Sequence, residues 1–257
     1  MNKKNYFDFS NKTVLITGAA KGLGAQIARK YARAGANTII NYRSAKDEAE
    51  QLVKELNQFG SSLALQADMT NKEQIEKLIE NSKQHFPKID ILINNTGIYP
   101  QHAIIDMPED DWDKVINSNL KTVFLASQLI AKDMIANSIA GNIINISSIE
   151  AWQPAKLHSH YSSSKAAVNI FTRASANELA EYNIRVNSIS AGLIWRSGIE
   201  NDWPEGVKRW QLRAPLGKLI SAQDIANACL FLSSDAAAMI TGQDIKVDAG
   251  ISSLAYF

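Results

Sequence analysis

Residues 14–24 read Val14-Leu15-Ile16-Thr17-Gly18-Ala19-Ala20-Lys21-Gly22-Leu23-Gly24. Three β-type apolar residues run into a glycine-rich turn. The turn opens a stretch in which Leu23, Ile27, Ala28, Tyr31 and Ala32 recur at helical spacing. A strand, such a turn and a helix N-terminus in that order make a place for a phosphate, because free N–H groups and the positive helix end face the anion. Gly18 permits the sharp turn, Gly22 a close approach of backbone to a pyrophosphate, and Gly24 close packing of helix on sheet. The stretch predicts dinucleotide binding, with Leu23 at the same helix start.

Working outward, apolar strand-like runs alternate with helical patterns. The strands are expected at Thr13–Thr17, Thr38–Tyr42, Leu63–Gln66, Ile89–Asn94, Asn142–Ser147, Arg185–Ser190 and Asp244–Val247. The helices are expected over 22–34, 45–58, 71–85, 109–136, 160–182 and 221–233. Continuous apolar strands fit a parallel sheet covered on both faces. The fold class expected is α/β, a doubly wound Rossmann-type parallel sheet of seven strands with helices on both faces. Ligands of such sheets bind at the carboxyl ends of the strands.

The chain has 257 residues, 46% of them hydrophobic, enough for one core and so a single domain over 1–257. A net charge of +1 gives no reason to expect nucleic acid or an anionic membrane as partner. The N-terminus Met1-Asn2-Lys3-Lys4-Asn5 has no apolar segment behind it, and no stretch has the length of a membrane span. The single cysteine, Cys229, lies in an apolar helical run and reads as a buried, inert thiol. A cytoplasmic protein without disulfides is the expectation.

Tyr-x-x-x-Lys occurs twice, as Tyr161…Lys165 and as Tyr42…Lys46, and the second copy reads as coincidence at a strand end. The first has a setting: Ser148 stands upstream at a strand end, and Asn119 in a long helix before it. With Thr17-Gly18…Gly22-Leu23-Gly24, Asp68, Asn94-Asn95-Thr96-Gly97 and Arg185-Val186-Asn187, the chain resembles the single-domain short-chain dehydrogenase/reductases from about residue 9 to residue 250. The resemblance implies hydride transfer between a nicotinamide and a carbonyl or secondary alcohol. It implies a catalytic tetrad of Asn119, Ser148, Tyr161 and Lys165. Tyrosine can give or take the proton, but its free pKa is about 10. Lys165 shares a helix face with Tyr161, and its charge is expected to make the phenol more acidic. Ser148 would polarise the substrate oxygen. In the family the lysine also holds the nicotinamide ribose, and the asparagine backbone holds a water of the proton relay.

Cofactor contacts are expected from Gly18, Lys21, Gly22, Leu23, Gly24, Arg43, Ser44, Asp68, Met69, Asn95, Gly97, Tyr161, Lys165 and Ile194. Asp68 would bond the adenine amino group with Met69 lining it, and Ile194 would offer backbone to the carboxamide. The second strand ends Asn41-Tyr42-Arg43-Ser44 with no carboxylate until Asp47. Arg43 and Lys21 favour the 2′-phosphate of NADP(H), with NAD(H) also usable. Similar stretches in bacterial glucose dehydrogenases serve both cofactors.

The chain departs from the family at Thr96, Ala151, Ala191, Arg196 and Ala249, where alanine, glycine, proline, threonine and glycine are usual. The turn changes cost little provided φ stays negative, and Arg196 puts one cofactor contact in question. The substrate loop is expected at about 193–215 after the sixth strand, rich in Trp195, Trp203, Trp210 and basic residues. Tyr99, Glu150, Trp152, His158, Trp195 and Arg196 are the expected pocket residues; His158 and His160 lack an acid to complete a metal ligand set. The mix suits a small polar carbonyl compound, with a sugar or polyol dehydrogenase as the alternative. A non-catalytic nucleotide-binding protein on the same fold is the reading from a different class. The helix ends Asn137-Ser138-Ile139-Ala140 and Glu181-Tyr182-Asn183 lack the bases that dock an acyl carrier. A homotetramer is the family's usual assembly, and Val123, Phe124, Ala131, Ala167, Phe171 and Ala174 would permit it. The tail Ser252–Phe257 is expected against a neighbour.

Overall fold

The computed structural model describes residues 5–254. Seven parallel strands form one sheet: β1 (Thr13–Ile16), β2 (Asn37–Tyr42), β3 (Ser62–Gln66), β4 (Ile91–Asn94), β5 (Asn142–Ser148), β6 (Arg185–Ala191) and β7 (Asp244–Val247). Their order across the sheet is β3-β2-β1-β4-β5-β6-β7. The chain runs outward one way from β1, then returns to β4 and runs outward the other way. That reversal opens a crevice between the carboxyl ends of β1 and β4.

Period-two alternation divides the strands between two cores. Val14, Ile16, Ile40, Ile93 and Ile144 pack on one face. Leu15, Ile39, Leu92 and Ile143 pack on the other. The first face is covered by α1 (Gly22–Arg33), α2 (Lys46–Leu56) and α9 (Ala222–Ser233). The second is covered by α3 (Lys72–Lys83), α5 (Thr122–Ala136) and α6 (Ser159–Leu179). Cys229 of α9 is fully buried, and burial pushes its thiol pKa up, as an inert thiol requires. Among the described residues no helix is long and apolar enough to cross a membrane.

Two elements differ from the periodicity. The expected helix over 109–136 is α4 (Glu109–Ile116) and α5 joined by a π turn, Asn117–Lys121. There the Thr122 N–H reaches back five residues to the Asn117 carbonyl, and the Thr122 hydroxyl donates to the Ser118 carbonyl at 2.8 Å. Apolar spacing cannot reveal one extra residue in a turn, because α and π faces drift apart only slowly. The loop after β6 contains α7 (Ile199–Asp202) and α8 (Pro204–Arg213). Of the C-terminal tail, Ala255–Phe257 lies outside the described residues, as do Met1–Lys4 of the N-terminal segment.

Candidate active site

The glycine turn is held from β2 and β4. Asn41 lies at the end of β2, fully buried, where a solvated side chain would ordinarily stand. Its Oδ1 accepts from the Gly18 N–H at 3.1 Å, and its Nδ2 donates to the Ala67 carbonyl at 3.0 Å. The Thr17 hydroxyl oxygen accepts from the N–H groups of Asn95 and Thr96 at 2.9 and 3.1 Å. The Asn95 amide donates to the carbonyls of Thr17 and Gly18 at 2.9 and 3.2 Å. A Cβ at Gly24 would lie 2.7 Å from that amide and 2.8 Å from the Ala19 Cα, so only glycine lets α1 approach this closely. A Cβ on Gly22, where φ is +60°, would meet nothing within 4 Å. The first turn of α1 has neither a capping side chain nor an acidic residue. Its orphan N–H groups and positive end therefore face an open cradle, which fits a pyrophosphate.

Beside the cradle, Arg43, Ser44 and Lys21 are exposed. Arg43 lies 3.9 Å from Asp68, a carboxylate well beyond Asp47 in the sequence. Asp68 Oδ1 accepts from the N–H and hydroxyl of Thr70 at 2.8 and 2.7 Å. Burial works to raise the Asp68 pKa, but these bonds, helped by Arg43 and Lys121, hold it below the usual value. The Met69 side chain packs in the core with Ile75 and Leu78.

The four expected catalytic residues converge at the carboxyl ends of β4 and β5. Asn119 sits in the π turn, fully buried. Its side chain accepts from Ile98 N–H at 2.8 Å and donates to the Ile98 carbonyl at 2.9 Å and the Ser164 hydroxyl at 3.1 Å. It thereby pins the segment after β4 to α6. A Cβ on Gly97 would lie 3.1 Å from Asn119 Oδ1 and 3.6 Å from Lys165 Nζ, so Gly97 keeps that corner open. Ser148 ends β5, and its hydroxyl oxygen accepts from the Glu150 N–H at 3.1 Å. Tyr161 and Lys165 lie one turn apart on α6.

Lys165 is buried, and its Nζ donates to the Ile146 carbonyl at 2.8 Å, 5.8 Å from the centre of the Tyr161 ring. Burial pushes its pKa down to about 8. The Tyr161 phenol is pushed up to about 12, chiefly by burial, opposed by a hydrogen bond with Ser148 and reinforced by the charges of Glu150 and Tyr99. Lys165 was expected to acidify the phenol together with the charge of an oxidised nicotinamide; in the protein without nicotinamide, burial sets the phenol's direction. The lysine is aimed at a carbonyl, and desolvation outweighs it.

Sequence reasoning missed the residues beneath the site. Asn94 donates to the Asn145 side chain at 2.8 Å and the Ser127 hydroxyl at 3.0 Å, and Asn145 donates to the Thr172 hydroxyl at 2.8 Å. Asparagines inside otherwise apolar strands (Asn41, Asn94, Asn145) were the available signal, since buried amides occur where they are bonded.

The pocket side is mixed. Tyr99 packs edge-on against Tyr161 at 6.3 Å, and the His158 ring lies 5.6 Å from it. His158 Nδ1 pairs with Glu150 at 3.0 Å. Trp152 is half exposed, donates to Asp244 at 3.0 Å and carries Lys246 over its ring, so it leans towards β7. Trp195 is also half exposed, and its N–H donates to Glu200 at 2.7 Å. Arg196 is bound to Asp202 at 2.6 Å instead of standing free for a phosphate. Trp210 is buried, and a Cβ on Gly192 would lie 2.6 Å from its ring, so this indole anchors the loop. Ile194 forms a bridge with Ile220 carried by its neighbours: Trp195 N–H donates to the Ile220 carbonyl and Ile220 N–H to the Leu193 carbonyl. Ala249 adopts φ +55°, not the negative φ expected, at a cost of about 1 kcal/mol for a non-glycine residue. No group of three or more His, Cys, Asp or Glu is placed to hold a metal ion among the described residues.

Residues 18–252 match the family model described as enoyl-(acyl carrier protein) reductase. The chain is 37% identical over 243 residues to a 3-oxoacyl-(acyl-carrier-protein) reductase of Staphylococcus epidermidis, covering 94% of this chain and 99% of the relative. It is 36% identical over 245 residues to an NAD-dependent glycerol dehydrogenase of Listeria innocua, covering 95% of each. A solved short-chain type dehydrogenase/reductase from Mycobacterium marinum superposes with a TM-score of 0.90 at 33% identity, covering 96% of this chain and 98% of that one.

Proposed function

Since the chain belongs to the short-chain dehydrogenase/reductase family of oxidoreductases, we propose that it reduces the carbonyl of a free, small polar compound with NADPH, using Tyr161 as proton donor. The observation that carries this is the meeting of Asn119, Ser148, Tyr161 and Lys165 beside an open, uncapped α1 N-terminus. When bound, the nicotinamide supplies the hydride, and in its oxidised form a positive charge. Gly18, Gly22, Leu23, Gly24, Asn95 and Gly97 would hold the dinucleotide, with Ile194 backbone at the carboxamide end. Lys21, Arg43 and Ser44 would meet a 2′-phosphate, and Asp68 the adenine. Arg43 recognises phosphate through its planar fork, and its ion pair with Asp68 is exposed and long enough to exchange.

Ser148 polarises the substrate oxygen, and its hydrogen bond to Tyr161 favours the phenolate. Tyr161 donates its proton to that oxygen as the carbonyl is reduced. Lys165, charged below about pH 8, favours the phenolate that is left. Asn119 fixes the segment at Gly97–Ile98 against α6. Tyr99, Glu150, His158 and Trp195 line the substrate side. The sequence lacks carrier-docking bases at 137–140 and 181–183, which supports a free substrate.

The exposed indoles of Trp195 and Trp203 favour a second reading, a sugar or polyol dehydrogenase in which an aromatic face stacks on the ring. We also infer a homotetramer. Phe124 and Ile170 are exposed on α5 and α6, and Phe124 packs edge-on against Phe171 at 6.3 Å. A panel of ketones, 3-oxo esters, 2-oxo acids, sugars and polyols, each run with both nicotinamides, tests the reading. A ketone that consumes NADPH faster than NADH is expected. Oxidation of sugars alone would favour the second reading, and no turnover of any compound would contradict both.

A further inference from the structure

Glu150 and His158 form a pair beside the proposed proton donor that the family tetrad does not include. Glu150 lies two residues past Ser148, in the helical turn Ile149–Ala151. His158 immediately precedes α6. Its Nδ1 lies 3.1 and 3.0 Å from the two carboxylate oxygens of Glu150. The Ser162 hydroxyl donates to Glu150 Oε2 at 3.1 Å and fixes the carboxylate against the residue next to Tyr161. The side chains of His158 and Glu150 are only 12% and 19% exposed. His158 Nε2 is shielded and has no hydrogen-bond partner, so Glu150 supplies the polar contact of this ring.

We propose that this pair is a positioning device for the reaction: Glu150 sets a negative charge beside the Tyr161 phenol and favours its protonated form, and His158 cancels that charge when it takes up a proton. The inference rests on Tyr161 as proton donor. A carboxylate near a phenol raises the free energy of the phenolate, more so where burial limits screening. The raised proton affinity of Tyr161, due first to burial and in part to Glu150, agrees. Ser148 faces the phenol from β5, Tyr99 from the segment after β4, and Lys165 from α6 itself. His158 also acts electrostatically on His160, which feels Asp111 of α4 and His102 as well. With His158 neutral the pair carries one negative charge, and Tyr161 stays an acid to higher pH, as carbonyl reduction needs. With His158 protonated the pair is neutral.

Rapid ultraviolet pH titration tests this without a substrate. The difference between each protein and its Tyr161→Phe counterpart isolates one phenol. Glu150→Gln and Glu150→Ala should both lower the pH at which Tyr161 ionises, by about half a unit or more and to similar extents, because both remove the charge. A shift in Glu150→Ala alone would reveal a packing effect and overturn the proposal, as would no shift in either. In alcohol oxidation, His158→Gln, which bonds but cannot ionise, should keep the alkaline inflection of the kcat/KM profile and lose the lower one. Persistence of the lower inflection would also overturn it. Tyr161→Phe with full activity would remove the proton-donor premise instead, an outcome the titration of Glu150 variants does not mimic.

Discussion

Lys165 shows how the chemistry conflicts with stability at the scale of one side chain. Burial lowers its pKa from 10.5 to about 8. Below about pH 8 native and unfolded chains both hold the proton, and the native state bears the full cost of a buried charge. Between there and 10.5 the unfolded chain binds more protons, so this group's contribution to stability rises with pH. The cost below pH 8 is on the order of 3 kcal/mol. Losing the bond to the Ile146 carbonyl returns about 1 kcal/mol of it. Lys165→Met is therefore expected to unfold in urea at pH 7 with roughly 2 kcal/mol more stability than wild type. That gain should shrink as the pH approaches 10, as lysine loses its proton in the native state. A destabilised Lys165→Met, or a gain independent of pH, would contradict this. Their catalytic role came from the family resemblance, but that Tyr161 and Lys165 share a helix face was legible from their spacing of one turn. The direction of the ammonium was not. Spacing places a Cβ, but the Ile146 carbonyl that captures Nζ is nineteen positions away and enters only with the fold.

At the scale of elements, strand ends and turns decide selectivity. The β1–α1 turn was legible because three glycines in a strand–helix junction serve one purpose. Its brace was not: Asn41 belongs to β2, and its bond to Gly18 exists only once β1 and β2 are in register. The same register carries Arg43 towards Asp68, which lies two residues past the end of β3, the strand paired with β2. Arg43→Asp and Lys21→Ala are each expected to weaken NADPH binding by about tenfold or more while leaving NADH nearly unchanged. Fluorescence titration of both nucleotides reads this, and a change for NADPH within about twofold would contradict it. The π turn at Asn117–Lys121 was hidden for a different reason. It alters the hydrogen-bond ladder around Asn119 without breaking the run of apolar residues on either side. The loop at 193–215 was expected from the family resemblance, but its two short helices were not, because they are anchored by Trp210 against Gly192 instead of by an extended apolar stripe.

At the scale of the molecule, alternating strands and helices were enough to predict the doubly wound sheet, because continuous apolar strands need cover on both faces. Strand order follows once crossovers are right-handed and the chain reverses at β1 and β4. Association is the property that a single chain's pattern leaves open, because the same apolar helix positions serve a core or an interface. Phe124 and Ile170 are exposed, which supports the proposed interface, whereas Val123 and Ala131 are buried in the chain's own core. Sedimentation should find wild type as a tetramer, and Ile170→Asp together with Phe124→Asp should reduce it to smaller species that still fold. A wild-type monomer would contradict the assembly.

In the proposed reaction Tyr161 delivers the proton, while the glycine turn and its braces, not the phenol, carry most of the dinucleotide binding. Tyr161→Phe measures this most directly, with NADPH affinity and single-turnover carbonyl reduction followed in the same preparation. The expected result is NADPH affinity within about threefold of wild type and a reduction rate lower by about a thousandfold. A Tyr161→Phe enzyme that reduces the carbonyl at an undiminished rate would contradict it.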